Sequence, residues 1–340
     1  MLEFLKQFKH KTLIIAEIGT NHDGSLHKSK RMVAEAAAAG ADAVKFQAYK
    51  TEKLVSSDLP VFSRARELGY KYQFDRFKDL EFNEQQFKEL YDFSCEKGVI
   101  FLATAFDMQS ADMIEPLVSA YKVASAELIN IPLLQYLTKK NKPMIISTGQ
   151  ASEEEINRAV EVVRMDRVAL LHCVSAYPTP DEQANLLSIP YLRSIYPNIP
   201  VGYSDHTVGI SACIAATALG STIIEKHFTL DRNRNCGDHP MSAIPSELKQ
   251  MVSEIRRIEH MLGKPNIVCQ EAEKMSRKQL RKVLMLTKDL EKGSVLKENM
   301  LIPLMSPTPG MYPNRLSDVV SRRAISELKA GHVLQEKDIA

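Results

Sequence analysis

Lysine side chains interrupt two apolar segments of this chain and indicate a binding site for a small anion. Lys45 lies in AVKFQAY (residues 43–49), and Lys122 lies in YKVASAE (residues 121–127). A buried lysine is costly unless an anion pairs with it, and small hydroxyl residues flank these positions. The pattern favours a phosphorylated or carboxylated small molecule as the ligand.

Two histidines end neighbouring apolar segments and can approach one divalent metal ion. His206 ends VGYSDHT (201–207), and His227 lies near the end of STIIEKHF (221–228). Water or substrate would fill the open positions of a two-imidazole site. Without a cysteine beside them the signal is weak, and His206 can instead bond Asp205 or a neighbouring loop. His172 reads equally well as a core histidine.

The apolar pattern predicts a scaffold that brings these distant segments together. Helical patterns at 29–39, 84–97, 153–164 and 210–219 separate most of the apolar segments. Near-continuous apolar strands that alternate with helices predict a parallel sheet, and its simplest closure is a (β/α)8 barrel. A doubly wound sheet is the alternative, but the first turn, EIGTNHDG, lacks GxGxxG. The eight predicted strands are 12–18, 43–49, 99–106, 121–127, 143–149, 168–174, 201–207 and 221–228.

A barrel would place the polar residues at one face, because functional groups collect at the carboxyl ends of barrel strands. Any single one of them can be a structural cap on the barrel rim, but nearly every predicted strand ends in this way. His22 and His239 lie in predicted loops that can cover the mouth, although loop histidines are commonly solvated. The polar residues at strand ends are Glu17, Asn21, His22, Asp23, Lys45, Gln47, Thr104, Asp107, Lys122, Ser125, Glu127, Ser147, Thr148, His172, Ser175, Ser204, Asp205, His206, Glu225, Lys226 and His227.

Composition excludes several classes of protein. The 340 residues carry 44 basic and 42 acidic side chains, so a net charge of +2 gives no field for gripping nucleic acid. No apolar run has the length of a signal peptide or a membrane span. The five cysteines lack CxxC spacing and predict buried thiols in a reducing cytoplasm.

The pattern changes after residue 262 and predicts three parts. Residues 1–262 form the barrel, and the polar, basic segment 263–282 forms a linker. Residues 283–340 read as a small β-rich module. Within it, LEKGSVLKENM and LKAGHVLQEKDI share a pattern that predicts two similar turns.

Seven motifs in order resemble the sialic acid synthase family, the phosphoenolpyruvate-dependent nonulosonate synthases. They are IIAEIGTNHDG, GADAVKFQAYK, YKVASAE, PMIISTG, LLHCVSAYPTP, GYSDHTVG and IIEKHFTLDRN. The last 60 or so residues resemble the antifreeze-like (SAF) domain that follows the barrel in that family. The resemblance implies condensation of phosphoenolpyruvate with an open-chain amino sugar such as N-acetylmannosamine, giving a nonulosonic acid and phosphate.

The resemblance also implies roles for individual residues. Glu17 and Glu127 match the acidic residues at the reacting centre, and Tyr177 matches a tyrosine on the sugar side. His206 and His227 match a metal pair, usually Mn2+, with Mg2+ or Co2+ as alternatives. The phosphoenolpyruvate-binding set corresponds to Lys45, Thr104, Lys122, Ser125 and Ser147, and we add Gln47, Ser175, Asp238 and Arg315 to the expected substrate-binding residues.

Two departures from the family pattern leave the acceptor sugar open. Ser175 stands where asparagine is common, and Ser306-Pro307-Thr308 stands where the antifreeze-like domain carries Arg-Pro-Gly. The family arginine reaches the sugar from a partner subunit, and Arg315 is a candidate to replace it. Legionaminic or pseudaminic acid is therefore an alternative product. The resemblance further implies a homodimer in which the C-terminal module covers the partner's barrel mouth.

Two other functions compete with the synthase hypothesis. A Schiff-base aldolase on the same barrel would use Lys45, Lys122 or Lys226 as its amine and would need a lowered lysine pKa. A non-enzymatic reading makes the C-terminal module an ice- or carbohydrate-binding unit. An ice-binding face needs a flat, apolar, Thr-rich surface, and this module is rich in Lys, Glu and Arg.

Overall fold

A computed structural model describes residue 8, residues 11–62, residue 66, residues 68–234 and residues 237–340. The chain divides into two compact units, residues 1–263 and 264–340. No helix in the described parts of the chain is long and apolar enough to cross a membrane.

The first unit contains a closed barrel of eight parallel strands that pair in chain order. Strand β1 closes the barrel by pairing with β8, where Glu17 lies opposite His227. The predicted (β/α)8 barrel is confirmed, and every predicted strand segment contains one of the eight strands. The strands are β1 Leu13–Glu17, β2 Ala43–Ala48, β3 Ile100–Ala105, β4 Tyr121–Val123, β5 Met144–Ser147, β6 Val168–Cys173, β7 Val201–Asp205 and β8 Ile223–His227.

At least one helix follows each barrel strand and covers the outside of the barrel. The four predicted helices are present, and α1 begins at Leu26, earlier than expected, because the Ser25 hydroxyl caps it by accepting the Lys28 N–H. The first unit contains α1 Leu26–Ala38, α2 Thr51–Leu54, α3 Gln73–Leu80, α4 Glu84–Glu96, α5 Met108–Ile114, α6 Ile131–Lys139, α7 Glu153–Val163, α8 Ser188–Ile195, α9 Ser211–Ala218 and α10 Pro245–Met261.

Alternate residues along each strand belong to two separate apolar layers. Leu13, Ile15 and Ile223 belong to one cluster, which fills the lower part of the barrel. Ile14, Ala16 and Ile224 belong to the other cluster, which includes residues of the surrounding helices. Side chains point to opposite faces at successive strand positions, so the same alternation decides which polar residues point into the barrel.

The second unit is small and rich in turns. Strands β9 (Lys282–Leu286) and β10 (Leu301–Met305) pair antiparallel, and helices α11 (Lys274–Leu280) and α12 (Leu316–Val319) complete it. Helix α11 lies inside the segment predicted as linker. The two similar phrases form matching turns, with Gly293 and Gly331 at φ 84° and 82°. The leucines that follow them, Leu296 and Leu334, are both fully buried.

Candidate active site

Buried charges of both signs meet inside the barrel near the carboxyl ends of its strands. Lys45 Nζ lies 2.7 Å from Glu17 Oε2 and donates to Thr104 Oγ1 at 3.2 Å. Gln47 Nε2 donates to Glu17 Oε1 at 3.0 Å. The parallel register sets Glu17 beside Lys45 and Gln47 beside Thr104, which explains why four predicted site residues from three strands meet.

Glu225 is a functional candidate that the sequence interpretation left among the strand-end residues without a role. Its Oε1 lies 3.6 Å from Lys122 Nζ and 3.9 Å from Lys45 Nζ, and it accepts a hydrogen bond from Ser204 Oγ at 3.0 Å. Glu225 shares the parity of His227 on β8, and this alternation was the signal that identifies it as inward-facing. The two lysines are therefore bridged by a carboxylate of the protein.

Burial and pairing shift the pKa values in this cluster in different directions. Burial raises the pKa of Glu17 although Lys45 opposes the shift. Burial lowers the pKa of Lys122, and the attraction of Glu225 offsets this shift only in part. At Glu225 burial is outweighed by Lys122 and Lys45, so its pKa is lowered. Lys45 stays a firm cation because Glu17 and Glu225 outweigh its burial and raise its pKa.

Serine hydroxyls from three predicted positions form the next part of the site. Lys122 Nζ donates to Ser147 Oγ at 2.7 Å, and the Gly149 N–H donates to Ser125 Oγ at 3.1 Å. A Cβ at Gly149 would lie 2.4 Å from Ser175 Oγ and 2.7 Å from Ser125 Oγ. Only glycine permits this close approach, a requirement that the sequence interpretation did not recognise.

Glu127 lies after β4 in a short 3-10 helix and is held by the start of α6. Its Oε2 accepts a hydrogen bond from Asn130 Nδ2 at 2.7 Å, while Asn130 also caps α6. Burial raises the pKa of Glu127 against the effect of Asn130. Both predicted catalytic glutamates thus have a raised pKa, as an acid or base that works near neutral pH requires.

The two predicted metal-binding histidines lie close together, with their ring centroids 5.3 Å apart. His206 Nδ1 donates to the Val174 carbonyl at 2.8 Å, which leaves Nε2 with its lone pair. Burial lowers the pKa of His227 to about 3. Within the described residues the buried His227 Nδ1 has no hydrogen-bond partner. Burial lowers the pKa of His206, but its contacts with Cys173 and Val174 outweigh burial and raise the pKa, so an ion bound here competes with a proton for Nε2. The Nε2 of His206 and the Nδ1 of His227 are nitrogens of the kind that bind a divalent ion.

Residues of the surrounding loops border the histidine pair. The Tyr177 ring lies 4.1 Å from the His206 ring, centroid to centroid. Asp238 Oδ2 lies 3.9 Å from His227 Nδ1 and accepts a hydrogen bond from Thr20 Oγ1 at 3.2 Å. In the described parts of the chain no three His, Cys, Asp or Glu side chains form a metal-binding group. Other ligands of an ion held here would be water or substrate.

Three candidates from the sequence analysis, His172, Lys226 and Arg315, bond to groups that are not among the expected site residues. His172 stacks on Tyr203 in the helix-facing layer and its Nε2 bonds the Ala184 carbonyl at 2.9 Å, so it is a core histidine. Lys226 also faces the helices and is fully buried against Asp205, which removes it as a Schiff-base amine. Arg315 lies in the second unit, where its side chain pairs with Asp318 at 2.9 Å and with Glu336.

The loop histidines are buried, contrary to the solvated alternative. His22 and His239 are 3% and 2% exposed. His22 stacks on Phe82 with ring centroids 4.3 Å apart, and its Nδ1 accepts the Gly24 N–H at 2.9 Å. These contacts fix the loop between β1 and α1 beside the site.

Acid should weaken the fold through His22. Burial lowers its pKa to about 4 from the ordinary 6.5, so the unfolded chain takes up a proton below pH 6.5 that the folded chain refuses. The free energy of unfolding should fall between pH 6.5 and 4, by up to about 1.4 kcal/mol per pH unit from this group. Urea unfolding at several pH values measures the slope. His22→Asn should flatten this pH dependence, and the control His260→Asn, at an exposed position, should not. Equal slopes in the wild type and both variants would contradict the prediction.

Comparison with known proteins identifies the family. The NeuB family model matches residues 32–266, and the SAF domain model matches residues 281–340. The chain belongs to the NeuB family. Relatives of this NeuB-family chain include the N,N'-diacetyllegionaminic acid synthase of Campylobacter jejuni, 35% identical over 96% of this chain and 99% of the relative. The N-acetylneuraminate-9-phosphate synthase of Mus musculus is 32% identical over 97% and 93%.

A solved structure agrees with both the family and the fold. The N-acetylneuraminic acid synthetase of Leptospira borgpetersenii, in complex with citrate, is 38% identical and aligns with a TM-score of 0.71. The alignment covers 79% of this NeuB-family chain and 92% of that chain. The resemblance stated from the motifs is thus confirmed at the level of the family and of the SAF domain.

Proposed function

We propose that this NeuB-family chain condenses phosphoenolpyruvate with an open-chain amino sugar, giving a nonulosonic acid and inorganic phosphate. One observation carries the proposal: Lys45 and Lys122 lie on either side of Glu225 inside the barrel, near the paired histidines. An anion site beside a candidate Lewis-acid site suits a phosphorylated substrate that reacts with an aldehyde. The named synthases among its relatives support the same reaction.

Phosphoenolpyruvate offers a phosphate and a carboxylate to the buried cations and hydroxyls. Lys45, Lys122, Thr104, Ser125 and Ser147 form the proposed binding set, with Lys122 already bonded to Ser147. The charges of Lys45 and Lys122 are balanced by Glu17 and Glu225, so the incoming anion must compete with two carboxylates.

The carbon–carbon bond forms between C3 of phosphoenolpyruvate and the aldehyde carbon of the sugar. The π electrons of the aldehyde C=O move to its oxygen, which takes up a proton and becomes a hydroxyl. The cationic C2 is captured by water, and the C–O bond to the phosphate then breaks with both electrons leaving on the phosphate, while the hydroxyl at C2 loses its proton and becomes the keto group. Glu17 or Glu127 accepts the proton of that water, and the lysines stabilise the departing phosphate. Asn130 holds Glu127 for this role through the 2.7 Å hydrogen bond.

His206 and His227 are the residues that would hold the divalent metal, which we propose to be Mn2+. When bound, the metal supplies a Lewis acid that polarises the aldehyde carbonyl. The available nitrogens of both rings, the burial of His227 and the absence of a hydrogen bond to its Nδ1 among the described residues support this assignment.

The acceptor is an amino sugar of the N-acetylmannosamine or 2,4-diacetamido type. Tyr177, Asp238, Gln47 and Ser175 are the residues proposed to contact it. Ser175 lies at Gly149, beside Ser125 of the anion site. Arg315 stays a prediction, and its pairing with Asp318 and Glu336 means that binding a sugar would require it to exchange partners.

We further propose a cytoplasmic homodimer in which the second unit of one chain serves the barrel of the other. Strand β10 supports an interface, since Ile302, Leu304 and Met305 are 41%, 40% and 59% exposed. Met275 and Leu280 of α11 add exposed apolar surface in the same unit. Such surface favours burial against a second copy. The four described cysteines are free thiols, which fits a reducing compartment; Cys173 and Cys213 are buried as predicted, whereas Cys95 is exposed and Cys269 is half-buried, contrary to the prediction.

A Schiff-base aldolase is the second candidate, and the lowered pKa of Lys122 is the observation that favours it. The two functions separate in a paired test. EDTA should abolish phosphate release by the synthase and leave a lysine aldolase active. Borohydride added with substrate should trap only the aldolase, so a borohydride adduct at Lys122 together with activity in EDTA would overturn the proposed synthase.

Lys45→Ala and Lys122→Ala should mainly raise the KM for phosphoenolpyruvate. Hydrogen bonds to a charged group contribute about 1.5–3 kcal/mol, so a rise of roughly 10- to 100-fold is expected. The kcat should change less, since a lysine that holds phosphate acts in the ground and transition states alike. Steady-state phosphate release measures both constants. The exposed Lys139→Ala is the control, and an unchanged KM in both variants would contradict the assigned anion site.

A further inference from the structure

Asp205 and Lys226 form a fully buried ion pair on the outer side of the barrel wall. Their charged atoms lie 2.6 Å apart, and both side chains are 0% exposed. The two residues are register partners on β7 and β8. Each directly precedes one of the paired histidines, His206 and His227, and both side chains face the helices and not the barrel interior.

The ion pair holds the backbone that carries His206. Asp205 Oδ1 accepts hydrogen bonds from the Tyr203 hydroxyl at 3.0 Å and from the Thr207 N–H at 2.9 Å. Lys226 Nζ donates to the Thr207 carbonyl at 2.5 Å. Thr207 is therefore fixed at both its N–H and its carbonyl by the two members of one ion pair.

The other side of His206 is held from the end of β6. Its Nδ1 donates to the Val174 carbonyl at 2.8 Å, and its own carbonyl accepts the Thr179 N–H at 2.9 Å. The Lys226 contact to Thr207 adds a side-chain tie between the residue after His206 and β8, the strand on which His227 lies, to the backbone pairing of β7 with β8. The Asp205–Lys226 contact therefore links the two backbone segments that carry the imidazoles.

A buried ion pair is a poor way to stabilise a fold, because desolvation of the two charges offsets their attraction. A pair of neutral side chains would maintain this layer at similar stability. We propose that Asp205 and Lys226 are a positioning pair that sets the separation and orientation of His206 and His227 and so controls metal affinity. The inference rests on the proposed metal role of the histidines.

The test measures Mn2+ binding to the chelator-stripped full-length protein by electron paramagnetic resonance, without reference to activity. Asp205→Asn, Lys226→Met and the double variant are compared with the wild type. Replacing a group that orients metal ligands typically weakens metal binding about 10- to 100-fold, and we expect this loss in all three. The double variant leaves no unpaired buried charge and should unfold near the wild-type temperature in EDTA.

Asp42→Asn is the matched control. Asp42 also pairs with a cation, Arg256, at 2.6 Å and accepts the Ile14 N–H at 2.9 Å, but it precedes β2 at the opposite end of the barrel. This variant should lose stability and keep its Mn2+ affinity. A folded double variant that binds Mn2+ like the wild type would overturn the positioning role alone. If His206→Ala binds Mn2+ with the wild-type affinity, the proposed metal site is overturned and this inference with it.

Discussion

His206→Ala and His227→Ala should each lower turnover by about 10³-fold or more while the chain stays folded. A Lewis acid contributes several kcal/mol to the transition state, and each 1.36 kcal/mol is a factor of ten. With one imidazole removed, the described residues offer too few ligands to retain a labile ion. Initial rates of phosphate release measure the loss, and thermal unfolding in EDTA measures the fold.

His172→Gln is the matched control for these variants. His172 is also a buried histidine beside the barrel, but it faces the helices and bonds the Ala184 carbonyl. Its replacement should lower the unfolding temperature and leave the metal dependence of turnover unchanged. Near-normal turnover in His206→Ala, or recovery on adding excess phosphoenolpyruvate alone, would contradict the metal role.

A chain truncated after Lys264 should retain a folded barrel but lose roughly 10²-fold in synthesis. The cut falls at the division between the two units, and the helices and strands of the barrel lie before it. Closure of a barrel mouth excludes water and positions the acceptor, and misplacement of a substrate by about 1 Å can cost this much in rate. Phosphate release with saturating phosphoenolpyruvate measures the loss.

Mixing two inactive chains tests whether one chain completes the site of another. Full-length Glu17→Ala has a defective barrel and an intact second unit. The truncated chain has an intact barrel and lacks the second unit. Activity should return after subunit exchange, and a mixture of two Glu17→Ala chains, one truncated, should stay inactive. Full activity in a wild type that sediments as a strict monomer would rule out the shared site.

The barrel and the strand ends were predictable because they follow from local pattern. Each of the eight apolar segments contains one strand. A lysine inside a buried strand, such as Lys45 in the strand 43–48, needs an anionic partner whatever the fold. Short helices such as α2 and α8 were not predicted, because four to eight residues carry too few turns for a clear period, and Pro190, a residue that usually breaks helices, lies in the first turn of α8, where it is tolerated.

Contacts between distant segments were beyond the sequence pattern. The anion beside Lys45 was expected to be a ligand, yet Glu17 also occupies this role, because the register of β1 and β2 places the two residues side by side. On β8 the sequence interpretation grouped Glu225, Lys226 and His227 together. Alternate residues of a strand point to opposite faces, so Lys226, the middle residue of the three, points away from the site and belongs to the outer ion pair.

Phosphate release from phosphoenolpyruvate with a panel of acceptors tests the proposed synthase most directly. The panel contains N-acetylmannosamine, 2,4-diacetamido-2,4,6-trideoxymannose, its altrose isomer and plain mannose, each assayed with Mn2+. We expect release with at least one amino sugar, with an equal amount of a nine-carbon 2-keto acid, and none with mannose. A correctly folded, Mn2+-loaded protein that is inactive with all four acceptors would contradict the nonulosonate synthase.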